Sequence, residues 1–250
     1  MNKIYTCNQP VINIYKKPNI KSEVISQILY GEKFCAKNKT NGFLQGYSIH
    51  DRYQGYAKLH LFSHSDKKKT HKIKSKEASL YLKPNIKSKT AKKLLFNSKI
   101  TLTQLTQQQG QFIKEDKYWI QKKDTEQIKS SFNFLKNYKH FLHTKYLWGG
   151  NSIKGIDCSG LVQELMKSAN LRCPRDSKDQ QKFFKKKISI NNIQKGDLLF
   201  WKGHVAIAIS KTKLIHAFGP KKKVVIMTIL QTINTIKKKS NLKLLSIKRP

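Results

Sequence analysis

No apolar run in this chain approaches the ~20 residues that a membrane-spanning helix needs, so no span is expected. The opening segment, MNKIYTCNQPVINIY, also lacks the apolar stretch of about 7–15 residues that a secretory signal requires, and without one Cys7 is not a lipid-attachment site. These absences predict a soluble, cytoplasmic protein, with export lacking a recognisable signal as the alternative. Cysteine is scarce too. Cys7, Cys35, Cys158 and Cys173 are too few and too irregularly spaced for a disulfide scaffold, and none forms a CxxC pair suited to zinc. Acidic side chains number 14 against 51 Lys and Arg, a formal net charge of +37. Such an excess favours anionic partners. Here, however, the lysines are scattered through every segment among many Asn and Ile, which reads as compositional drift and not as one patch. No basic motif interleaved with exposed aromatics accompanies it, so no specific nucleic-acid partner is expected.

What is present is enough apolar material to fold: 38% hydrophobic and 10% aromatic residues over 250 positions, a length that suits two or three small domains. The chain repeats itself. YKKPNIKS at Tyr15–Ser22 recurs as YLKPNIKS at Tyr81–Ser88, an offset of 66 residues that also aligns QILYGEKF with KLLFNSKI. Short alternating segments such as VINIY, VISQILY and FLQGYSI, punctuated by Pro, Asn and Gly, predict a small all-β barrel for each copy. The polar stretch HSDKKKTHK, His64–Lys72, reads as a solvated connector between the copies. The predicted domains are therefore 1–63, 70–125 and 126–250.

The third region changes character. SFNFLKNYKHFLHTK predicts a helix over 131–145, followed by the Gly-containing loop YLWGGNSIKG. DCSGLVQELMKSANL places Leu161, Val162, Leu165, Met166 and Ala169 on one helical face, and GDLLFW, HVAIAIS and KLIHAFG read as strands. The domain is thus expected to be α+β with an antiparallel sheet. The tail after Val224 suggests only a strand or two.

Asp157 is an acceptable helix N-cap, which puts Cys158 in a first helical turn, where unpaired N–H groups and the helix dipole favour an anion. That is one way to activate a thiol whose ordinary pKa is roughly 8.5. His204 opens one apolar strand and His216 lies inside the next. If the two strands form a hairpin, residues of equal parity can face one side, giving a base and its orienting partner, and the register decides whether they touch. The remaining cysteines and histidines lack such context and read as structural or solvated.

The order DCSG, PR-x-S-x-x-Q, GD, HV and IHA over residues 126–230 resembles the NlpC family of papain-like cell-wall cysteine peptidases, and the two repeats are similar to the bacterial SH3-like domains that precede such peptidases. The layout also resembles recycling enzymes that cut γ-D-glutamyl-L-diamino acid bonds in muropeptides. The resemblance implies Cys158 as nucleophile, His204 as general base and acid, and His216 as its orienting partner. It further implies that Asp157, Ser159 and Ser177 hold the free amine of an L-Ala-γ-D-Glu substrate, with Tyr53 and Asp51 of the first barrel closing that pocket. No metal or cofactor is required. This chain departs from the pattern in the short Lys202–Gly203 tract and in HVAIAIS, where a Tyr and a Gly are common; both bear on pocket walls. The competing readings are an endopeptidase acting on intact peptidoglycan and a non-catalytic wall-binding protein.

Overall fold

The computed structural model describes residues 3–64, 67–102, 111–129, 131 and 133–250. They form two compact units, Met1–Ser130 and Ser131–Pro250. The first is all-β. Its leading copy is a seven-stranded antiparallel sheet in the order Val24–Leu29, Val11–Tyr15, Gln54–Lys58, Phe43–Ser48, Lys33–Thr40, Lys3–Cys7 and Phe62–Ser63. Alternation drives it: in Val11–Tyr15 the isoleucines Ile12 and Ile14 are buried while Val11, Asn13 and Tyr15 are half-buried. The second copy splits into a four-stranded sheet (Thr90–Leu95, Glu77–Tyr81, Tyr118–Gln121, Phe112–Glu115) and a three-stranded one (Lys99–Ile100, His71–Ile73, Thr125–Gln127).

The 66-residue offset holds in the backbone, since strands Val11–Tyr15 and Val24–Leu29 superpose in number on Glu77–Tyr81 and Thr90–Leu95. Individual hydrogen bonds repeat with it. Gly31 N–H donates to Cys7 O at 2.8 Å and Asn97 N–H to Ile73 O at 3.0 Å. Glu32 accepts from Leu29 N–H where Ser98 accepts from Leu95 N–H. Both turn residues sit in the left-handed region, at φ 77° for Gly31 and 68° for Asn97, the two residue types that tolerate it best. Gly31 carries a second constraint. A Cβ there would collide with the carbonyl of Lys99, whose N–H in turn donates to Tyr30 O at 2.8 Å, so the copies are joined at this turn.

The connector differs from expectation. Residues 65 and 66 lie outside the described set, and the end of the stretch, His71–Ile73, is the central strand of the three-stranded sheet, with Lys72 buried against Glu126 at 3.5 Å. Polar composition alone concealed a strand whose partners are distant in sequence. The sheet also continues to Gln127, beyond residue 125.

The second unit packs three helices with a six-stranded antiparallel sheet in the order Lys186–Ile188, Ser246–Arg249, Leu198–Trp201, His204–Ala208, Lys213–Phe218, Lys223–Thr228. The helix Cys158–Ser168 is buried along its whole length, polar positions included, and contacts the strands beginning at His204 and Lys213. Two sequence expectations fail here. Residues 133–145 form turns and a short 3-10 stretch, Tyr138–Phe141, instead of a helix; residue 132 lies outside the described set. Phe134, Leu135 and Phe141 are buried as a helix would bury them, but Asn133 and Asn137 are poor interior helix residues and His143 is left-handed at φ 65°. The tail contains a helix, Ile229–Ser240, opened by Thr228 capping Gln231 N–H and burying Ile229, Thr232 and Ile236. Its Ile and Thr content masked it. Among the described residues no helix is long and apolar enough to cross a membrane.

Gly31→Ala tests the joint between the copies against Gly42→Ala, which shares a φ near +76° but has nothing within 4 Å of a new Cβ. Both substitutions should cost the ~1–2 kcal/mol of left-handed backbone, and Gly31→Ala more. Calorimetric melting should therefore show a clearly larger drop for Gly31→Ala; equal drops would mean the copies do not depend on this contact.

Candidate active site

The site is assembled around the start of the buried helix. Asp157 is its N-cap, accepting from Gly160 N–H at 2.7 Å through Oδ1, and this places Cys158 as the first helical residue. The same carboxylate accepts from Gly149 N–H at 2.9 Å, from the Ser159 hydroxyl at 3.2 Å, and from both arms of Arg175, Nη1 at 3.0 Å and Nη2 at 2.5 Å. Arg175 is 2% exposed and Asp157 6%, so the pair is a desolvated, two-pronged ion pair. Arg175 Nη1 also donates to Ser159 Oγ at 3.0 Å. Gly160 lets the preceding loop close on the helix, because a Cβ would strike Gly150 O.

Across from the helix lies the histidine hairpin. Trp201 pairs with His204 at the turn through Lys202–Gly203, and His204–Ala208 pairs with Lys213–Phe218 through Ile207↔Ile215 and Ala208↔Leu214. That register puts His204 and His216 diagonally on one face, with His204 Nε2 and His216 Nδ1 2.9 Å apart. Cys158 Sγ lies 3.9 Å from the carbonyl oxygen of Gly203, the residue before His204. Cys158 thus lies beside the turn that leads into the His204 strand.

Electrostatics set the resting state. Burial, then the charge of Asp157, pushes the Cys158 thiol up to about 12, against weaker lowering by the N–H groups of Val205 and Ser159 and by Arg175. Burial pulls His204 down to about 4, and burial together with the neighbouring His204 pulls His216 down to about 3. Burial thus opposes charge on the thiol and on both imidazoles, against the helix start, which favours an anion. A thiol and base in such a site titrate as a unit.

Ser177 opens the helix Ser177–Phe183, which is fastened to the site because Gln180 Nε2 donates to Ser159 O and to Pro174 O, both at 2.9 Å. Asp51 and Tyr53 belong to the first unit, where Tyr53 N–H donates to Asp51 Oδ1 at 3.0 Å in a tight turn. Sequence reasoning passed over three residues. Arg175 and Gln180 stand inside the PR-x-S-x-x-Q stretch, and only the fold reveals what they hold. Tyr146, just before the Gly-Gly loop, keeps its phenol protonated through burial and the charges that Cys158 and Asp157 would carry. Among the described residues no group of three His, Cys, Asp or Glu side chains could hold a metal ion.

A buried helix with a cysteine at its first turn, facing an antiparallel sheet that presents paired histidines, defines the papain-like peptidase class. Residues 143–240 match the NlpC/P60 family and residues 14–60 the bacterial dipeptidyl-peptidase Sh3 domain, so the chain carries an NlpC/P60 domain behind a bacterial SH3 domain. Over 230 residues it is 28% identical to dipeptidyl-peptidase 6 of Lysinibacillus sphaericus, covering 82% of this chain and 84% of that protein. A stretch of 101 residues is 37% identical to a gamma-D-glutamyl-L-lysine dipeptidyl-peptidase of Bacillus subtilis, covering 37% of this chain but only 34% of that one. The fold is also that of an NlpC/P60 family protein from Bacillus cereus ATCC 10987, with a TM-score of 0.84 over 99% of each chain at 19% identity.

Arg175→Met should leave the Asp157 carboxylate buried without its cation and lower stability by ~3–5 kcal/mol. Adding Asp157→Asn should return part of that loss. Denaturant unfolding of the two variants checks this, and a double variant no more stable than Arg175→Met would refute the pairing argument.

Proposed function

We propose that this chain is a cysteine endopeptidase hydrolysing the γ-D-glutamyl-L-diamino acid bond, to meso-diaminopimelate or Lys, in peptidoglycan-derived peptides with a free N-terminal L-Ala. The observation that carries the reading is Cys158 at the capped helix start, with Sγ 3.9 Å from the Gly203 carbonyl, and the 2.9 Å His204–His216 pair that begins at the next residue. The names of the relatives, a dipeptidyl-peptidase and a gamma-D-glutamyl-L-lysine dipeptidyl-peptidase, support the choice of bond.

Starting from neutral partners, Cys158 gives its proton to His204 as Sγ attacks the γ-carbonyl carbon of D-Glu, so charge appears only where the reaction uses it. Backbone N–H groups of the helix start, with the protonated phenol of Tyr146, receive the oxyanion. His204 then returns the proton to the departing amine, and water, deprotonated by His204, releases the acyl group from sulfur. No metal or cofactor enters this scheme. Ser159 and Ser177 accept from the substrate ammonium. Asp157 already accepts five hydrogen bonds. It therefore acts on the ammonium at longer range, as half of a net-neutral pair with Arg175. Cytoplasmic recycling of released fragments is the setting that a requirement for a free amine favours.

Wild-type protein should release the diamino acid from L-Ala-γ-D-Glu-meso-diaminopimelate, Cys158→Ala should release none, and N-acetylation of the substrate should slow release by ~10–100-fold, the worth of a charge-assisted hydrogen bond. Absence of cleavage of either peptide by wild type would sink the assignment. The pH dependence tests the electrostatics separately. Because burial disfavours the imidazolium, the neutral base persists to lower pH, and kcat/KM should hold through pH 6.5 and fall only towards about 4. A fall centred at 6–7 would mean that His204 is hydrated in the free enzyme.

A further inference from the structure

Two imidazoles in contact raise a question that their distance leaves open: which of the four ring nitrogens carry protons. Each ring is neutral, held so by burial, and therefore bears a single N–H. One proton of the pair must lie between His204 Nε2 and His216 Nδ1 for the 2.9 Å contact to be a hydrogen bond. If His216 donates, His204 must carry its own proton on Nδ1 and has no lone pair left for the thiol. If His204 donates, its Nδ1 is free to act as base. The choice falls to whatever meets the far nitrogen of His216.

That group is Met227. Its Sδ lies 3.4 Å from His216 Nε2. A thioether sulfur has lone pairs and no hydrogen, so it accepts and never donates. The contact is attractive only with the proton on His216 Nε2; the other tautomer would set two lone pairs against each other. Strand register delivers the sulfur. His216 pairs with Val225 and Leu214 with Met227, which makes Met227 the diagonal neighbour of His216 on the same face. Phe218, two residues on from His216, stacks on its ring at 4.7 Å and 15°, holding the ring plane in which the contact lies.

We propose that Met227 is a positioning residue that fixes His216 as the Nε2–H tautomer, so that His204 Nε2–H donates to His216 Nδ1 and His204 Nδ1 is left as the base for Cys158. The proton chain runs one way, from His204 through His216 to sulfur. The consequence for rate rests on the peptidase reading above, whereas the tautomer does not. When His204 gains the Cys158 proton it becomes an imidazolium still donating to a prepared acceptor, so the second ring need not reorganise during the reaction.

The test uses the full chain labelled with 15N in histidine and reads the ring nitrogens by long-range proton–nitrogen correlation. Wild type should show His216 protonated at Nε2 and His204 at Nε2. Met227→Leu keeps volume but removes the acceptor, and should give mixed tautomers; Met227→Gln, able to turn its carbonyl oxygen to Nε2–H, should restore the wild-type pattern. In turnover of L-Ala-γ-D-Glu-meso-diaminopimelate, Met227→Leu should lower kcat by about tenfold with KM unchanged, since a wrong tautomer blocks the base without touching substrate. If that peptide is not a substrate, the rate of Cys158 alkylation by iodoacetamide replaces turnover, and the spectra stand unaffected. A wild-type His216 protonated at Nδ1 would overturn the proposal, as would a Met227→Leu variant unchanged in both spectrum and rate.

Discussion

The carboxylate of Asp157 is the point on which the second unit hangs. Taken out of water, it must be satisfied from all sides, and it is: by a helix-turn N–H, a loop N–H, a hydroxyl and the fork of a buried arginine. The donors come from three separate stretches of chain: Gly149, the Ser159–Gly160 turn and Arg175. Satisfying one anion therefore fixes the helix start that carries Cys158, the Gly149–Gly150 loop behind it, and the Arg175 segment leading into the helix that bears Ser177. A site ordered in this way resists small displacements, because moving any one donor leaves charge unpaired in a medium that penalises it.

The opposing wall is built by a different rule. Nothing local makes His204 meet His216; the antiparallel register does, by setting them on one diagonal, and the next register step sets Met227 behind them. Burial on this side disfavours charge on both imidazoles and on the facing thiol.

The duplicated β unit follows the same economy of backbone contacts. Its two copies have diverged in side chains yet keep corresponding strands, a left-handed residue at the same turn position (Gly31 and Asn97) and a side-chain acceptor for the leucine N–H at that turn, Glu32 in one copy and Ser98 in the other. What is retained is the hydrogen-bond requirement of a tight turn, which several residue types meet.

Much of this was readable from the chain alone, and the reason is locality. The repeat, the period-two strands, the apolar face from Leu161 to Ala169 and the N-cap before Cys158 are all properties of neighbours in sequence, whereas the shared face of His204 and His216 needed the strand register as well as their parity. What failed or stayed hidden depended on distant partners. His71–Ile73 looks solvated until it is paired on both sides, residues 133–145 have the apolar spacing of a helix but not its backbone, and Ile229–Ser240 is a helix because Ile229, Thr232 and Ile236 have a core to enter. Arg175, Gln180 and Met227 carry no signal of their own. A guanidinium becomes a clamp, and a thioether an acceptor, only once tertiary structure has removed water and chosen the neighbour, so sequence determined which groups were present and the fold decided what each of them faces.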